Sequence, residues 1–100
     1  MGPSKATRTV TVANCAGLHA RAATLIAELV RRFEAEVVLA KGCQRVEAVD
    51  VLQVLSLGVG QGEQLVLEAT GEDADAVLDD LVQLFASRFG DDEPTGEQGA

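Results

Sequence analysis

The sequence predicts an α+β domain with elements in the order β-α-β-β-α-β-α and helices covering one face of a sheet. Three observations predict it. Stretches that alternate apolar and polar residues are interleaved with stretches whose apolar residues recur every three or four positions. The second and third strand segments are separated only by a short turn, which makes at least that pair antiparallel. The aromatic residues are three Phe with no Trp or Tyr, so Val, Leu, Ile and Ala must fill the interior, and that suits a simple two-layer packing. One hundred residues fit a single domain with a modest core and leave little room for a deep cleft.

Residues 1–7, MGPSKAT, combine Gly, Pro and Ser without periodicity and read as a loose leader. The folded part, residues 8–89, opens with RTVTVAN, where Thr alternates with Val so that Val10 and Val12 share one face of a strand. Asn14 to Gly17 break that pattern. Residues 20–33 place Ala22, Ile26, Leu29 and Phe33 at helical spacing, with Arg21, Glu28, Arg31 and Arg32 on the outer face. The β-branched run at 36–40 and the shorter run at 45–48 form a hairpin whose turn, 41–44, contains Gly42 for a positive φ. Asp50 caps a short helix carrying Val51, Leu52, Val54 and Leu55. The loop SLGVGQG follows, then a fourth strand over 63–69 with Leu65 and Leu67 on one face. Residues 73–89 form the last helix, with Val77, Leu78, Leu81, Phe85 and Phe89 on its stripe and Asp73 and Asp75 at its positive end. Residues 90–100 are rich in acids, lack an apolar period and read as a disordered acidic tail.

A formal net charge of −8 opposes non-specific nucleic-acid binding, which needs clustered Lys and Arg. No apolar stretch approaches the roughly 20 residues of a membrane-spanning helix, and no secretory leader opens the chain, so membrane insertion is not expected and a cytoplasmic protein is. Cys15 and Cys43 form no CxxC pair and have no neighbouring His, which leaves them as reduced thiols, Cys15 as a turn residue, and provides no metal site.

His19 is the only histidine. A histidine alone could be a helix-start residue making one structural hydrogen bond. Its position, between the Gly17 turn and the first helix, puts it beside the unpaired amides of Ala20, Arg21 and Ala22. Those amides and the helix dipole stabilise an anion and disfavour an imidazolium. A neutral ring is a nucleophile, and a phosphoryl group placed on it could be held by these donors and by Arg21.

GLHAR followed by AAT resembles the active-site motif of the HPr family of phosphocarrier proteins. The segment DVLQVLSLGVGQGEQLVLEATGEDADAVLDDL resembles that family's second helix, SLG turn, fourth strand and third helix, and the likeness covers about residues 8–89. It implies an open-faced β-sandwich with a four-stranded antiparallel sheet covered on one face by three helices. It further implies phosphorylation of His19 at Nδ1, with Arg21 supporting the phosphate and Gly17 shaping the turn. The donor would be Enzyme I of the phosphoenolpyruvate phosphotransferase system, and the acceptors Enzyme IIA domains or regulatory homologues. The chain would act as a monomeric carrier without cofactor, not as an enzyme on its own. Val51, Leu52 and Leu55 correspond to the family's docking surface.

Three positions depart from the family pattern. Ala22 stands where Pro is usual, which a first helical turn tolerates. Asp50 stands at the position often held by a regulatory serine, after Val49 where Lys is common, so no hydroxyl is available there for a serine kinase. Ser56 belongs to the SLG segment and reads as a residue bonding local backbone. Two rivals remain: a regulatory homologue acting mainly by phosphorylation-dependent binding, and an acylphosphatase-like hydrolase, for which no phosphate-cradling loop after the first strand is evident.

Overall fold

A computed structural model describes residues 4–91. The strands are β1 (Lys5–Thr11), β2 (Glu36–Lys41), β3 (Gln44–Glu47) and β4 (Gln64–Thr70), and the helices α1 (Ala20–Val30), α2 (Val51–Ser56) and α3 (Ala74–Ala86), with a short 3-10 turn at Arg88–Gly90. The strands lie in the order β1-β4-β2-β3, and all three ladders are antiparallel. This is the α+β open-faced sandwich, with one sheet face under the helices and the other open.

Alternation in the strands decides which side chains go inward. Val10, Leu65, Leu67, Ala69, Val37 and Leu39 are buried and meet Ile26 and Leu29 of α1 and Val77, Leu78 and Leu81 of α3 in one core. Register carries this across the sheet, with Val10 opposite Leu65 and Leu39 opposite Leu67. On the open face Arg45 of β3 reaches over β2 to grip Glu68 of β4 through two bonds, at 2.8 and 2.6 Å. Gly42 does take a positive φ, +60°, in the β2–β3 turn.

Several boundaries differ from the sequence reading. The first strand begins at Lys5 rather than Arg8, because the ladder to β4 extends through Lys5 opposite Thr70 and Ala6 opposite Ala69. Residues 5–7 therefore belong to the sheet and not to a leader, whereas 1–3 lie outside the described residues. Helix α1 stops at Val30 rather than residue 33. Its last amides, of Arg32 and Phe33, close tighter bonds to Leu29 and Val30, and Glu34 N–H is taken by the Asp73 carboxylate at 2.7 Å. Asp73 thus ties the end of α1 to the start of α3 and makes no side-chain cap on its own helix. Helix α3 ends at Ala86, since Arg88 and Phe89 take φ values of +58° and +57°. Of the stretch 90–100 read as a tail, Gly90 and Asp91 are placed against the domain, and 92–100 lie outside the described residues. Among the described residues no helix is long and apolar enough to cross a membrane.

Candidate functional site

The site is assembled where the chain leaves β1, turns and enters α1. Gly17 makes the turn possible. Its φ is +68°, and a Cβ there would lie 2.4 Å from the Val59 carbonyl oxygen and 2.9 Å from the Gly60 Cα. A side chain is therefore excluded both by conformation and by the approach of the 57–62 loop, which Leu18 N–H fastens by donating to the Val59 carbonyl at 3.0 Å. With that loop in place, Leu18 is buried and His19 emerges half-buried at the helix start.

His19 is the N-cap of α1, with extended backbone, and its carbonyl accepts from Ala23 N–H at 2.9 Å. Its Nδ1 accepts from Ala22 N–H at 3.2 Å. Of the three amides expected beside the ring, Ala22 is thus in contact. Those of Ala20 and Arg21 are the first two of the helix, which have no carbonyl inside it to bond. The aromatic ring of Phe89 stands edge-on to the imidazole, with centroids 6.5 Å apart, and itself packs on Phe85 at 4.9 Å.

Two residues that sequence reasoning left out complete the site. Asp91 Oδ2 lies 2.9 Å from His19 Nε2 and accepts from Asn14 Nδ2 at 3.0 Å, while Asp91 Oδ1 pairs with the Arg21 guanidinium. The hydrogen bond from His19 chiefly, and then those of Asn14 and the charge of Arg21, hold the Asp91 carboxyl below the usual carboxylate range against the opposing effect of burial. Asn14 is fully buried; its amide nitrogen also donates to the Gly17 carbonyl at 2.9 Å. Both of these neighbours are acceptors, which fixes the amide's orientation. Its Oδ1 has no hydrogen-bond partner among the described residues. A buried orphan acceptor is costly, and Asn14 is kept in place by the two bonds its nitrogen makes.

The remaining expected residues lie on α2. Asp50 is its N-cap, accepting from Gln53 N–H at 3.2 Å. Val54 is buried, Val51 and Leu55 pack partly against the core, and Leu52 is 78% exposed. Ser56 donates to the Gln53 carbonyl at 2.7 Å, the local backbone bond anticipated for it. Cys15 and Cys43 are both exposed, and no cluster of His, Cys, Asp and Glu able to hold a metal occurs among the described residues.

The arrangement offers a ring nitrogen at a helix N-terminus, a flanking Arg and a carboxylate on the far side of the ring. Such a site is suited to accepting an anionic group on the ring. Comparison with known proteins places the chain in a family. Residues 6–87 match the family described as "PTS HPr component phosphorylation site". The chain is 42% identical over 86 residues to phosphocarrier protein NPr of Shewanella violacea, an alignment covering 86% of this chain and 94% of the relative. It is 35% identical over 86 residues to phosphocarrier protein HPr of Cupriavidus necator, covering 86% and 97%. Its fold superposes on the crystal structure of HPr-C-His from Thermoanaerobacter tengcongensis with a TM-score of 0.83 at 33% identity, over 87% of this chain and 98% of that one.

Proposed function

The chain belongs to the HPr family of phosphocarrier proteins of the phosphotransferase system, carriers rather than catalysts, and from that premise we propose that His19 accepts a phosphoryl group from Enzyme I in the cytoplasm and passes it to Enzyme IIA-type domains. The observation that carries the reading is the placement of His19 as N-cap of α1, with Nδ1 facing the Ala22 amide.

At that position the Nδ1 lone pair attacks the phosphorus carried by the donor as the bond between that phosphorus and the donor breaks. The arriving phosphate then takes over the Ala22 amide and the free amides of Ala20 and Arg21 from the ring nitrogen. The Arg21 side chain supplies a charge-assisted bond. Gly17 keeps the turn tight enough for the ring to reach this place. Val51, Leu52 and Leu55 form the partner-docking surface, with Leu52 as its exposed centre.

The test is incubation of the full chain, as a monomer in solution, with phosphoenolpyruvate and a compatible Enzyme I. We expect an acid-labile mass gain of one phosphoryl group in the native protein and none in His19→Ala. Labelling of His19→Ala would overturn the assignment.

A second reading, a regulatory carrier acting mainly by phosphorylation-dependent binding, is favoured by the 42% identity to a phosphocarrier protein named NPr. Asp50, a helix cap with no hydroxyl to modify, leaves His19 as the place where such a switch would be set. Measuring partner affinity before and after phosphorylation separates such a switch from a relay.

A further inference from the structure

Asp91 is left without a task by the phosphocarrier reading, yet it contacts three side chains of the site. As a carboxylate held below its ordinary range it is ionised at neutral pH and can only accept hydrogen bonds. The hydrogen in its 2.9 Å contact with His19 therefore sits on Nε2. On the other side of the ring the Ala22 N–H points at Nδ1, and a donor there requires Nδ1 to present its lone pair. A neutral imidazole carries one N–H, so a single tautomer satisfies both contacts.

We propose that Asp91 is a positioning residue for phosphoryl transfer: it keeps the His19 proton on Nε2, which makes Nδ1 the attacking nitrogen, and it pairs with the positively charged ring that attack creates. This inference rests on the reading of His19 as the phosphoryl acceptor. The balance is simple. The neutral ring gains the phosphoryl group through a new Nδ1–P bond while the bond joining that phosphorus to the donor breaks, and no proton leaves the ring. The ring, still protonated on Nε2, becomes an imidazolium facing the Asp91 carboxylate, and the phosphate faces the helix N-terminus. Asn14 holds the carboxylate in place through the Nδ2 bond at 3.0 Å. Arg21, paired with Asp91 Oδ1, stands two residues from His19 and would turn from the carboxylate to the phosphate when it arrives.

The experiment uses the full native chain and the variants Asp91→Asn, Asp91→Ala and Asp91→Glu, with two readouts. Proton NMR of the unphosphorylated protein should show a slowly exchanging, strongly hydrogen-bonded Nε2–H of His19 that is lost in Asp91→Ala. Single-turnover transfer from phosphorylated Enzyme I should slow by about tenfold in Asp91→Ala, the size of one charge-assisted hydrogen bond. Asp91→Asn, of the same shape but uncharged, should also slow it, and Asp91→Glu should recover part of the rate. Absence of the Nε2–H signal in the native protein overturns the proposal whether or not the chain carries phosphate. A native protein that keeps the signal but takes no phosphate overturns the carrier reading itself. Transfer by Asp91→Ala at the native rate or faster also sinks the proposal, the faster case showing that Asp91 only competes with phosphate for Arg21.

Discussion

Arg21 bonds to a carboxylate that already has two other donors, and its own side chain is 55% exposed, so it adds little to the fold. On the proposed reading its value lies in the transfer step, where a guanidinium beside the forming phosphate would supply a charge-assisted bond. Arg21→Ala should therefore slow phosphorylation by about tenfold while shifting unfolding by less than about 1 kcal/mol. Stopped-flow transfer and urea unfolding on the same preparation check it, and an unchanged rate in a folded variant would remove Arg21 from the site. His19, Arg21 and Gly17 were legible because local motif and turn chemistry place them. Asn14 and Asp91 were not. An Asn before a Gly turn looks like any turn-former, and nothing local distinguishes the one that is buried with its amide shared between Gly17 and Asp91. Asp91 stands in an acidic stretch without apolar period, and its contact with His19, 72 positions away, depends on the left-handed residues Arg88 and Phe89, neither of which is a Gly or Asn that would advertise such a backbone.

Among the elements, periodicity identified every strand and helix, and the errors lie at their ends. Helix spacing can be read past Val30 to Phe33 because Phe33 does continue the stripe; the turn instead tightens after Val30, and Asp73 takes the Glu34 amide, a contact with a residue far along the chain. Likewise Phe89 continues the α3 stripe, yet the chain bends at Arg88 and the ring packs on Phe85 beside His19. In both cases a tertiary contact accompanies the end of a locally acceptable helix. Helix α2 shows the opposite situation, an element too short to bury all it carries. Val54 is enclosed, whereas Leu52 projects into solvent, and burial rather than hydropathy separates the core from the proposed docking surface. Leu52→Glu should consequently leave the unfolding midpoint within about 0.5 kcal/mol of native and weaken Enzyme I binding severalfold, as measured by calorimetry. A stability loss of several kcal/mol would instead place Leu52 in the core.

At the scale of the whole molecule, three carboxylates among the described residues have lowered pKa values and fasten parts of the chain that are distant in sequence. Glu68 is held down chiefly by its hydrogen bond from Arg45, and the pair links β4 to β3 over the open face. Glu63 is held down first by Gly60 N–H and then by Lys41, closing the loop before β4 whose Val59 carbonyl receives Leu18 N–H. Asp91 is held down first by His19 and joins the end of the described chain to the site. Each has a folded pKa below its unfolded value of about 4. Their stabilisation is therefore fully present above that unfolded value and is lost as pH falls through the lowered folded values. Net charge acts the other way at first. With 16 acids against 8 bases and a net charge of −8 at pH 7, the molecule repels itself near neutrality, and this repulsion fades as pH approaches the pI of about 4.4. Stability measured by urea unfolding should accordingly hold or rise from pH 7 to about 5 and then fall below about 4. Glu68→Gln tests the cause: its acid limb should be shallower than that of the native protein, because the variant has no carboxylate at 68 left to protonate. Parallel acid limbs would show that the Arg45 pair contributes nothing to the pH dependence and that the other carboxylates carry all of it.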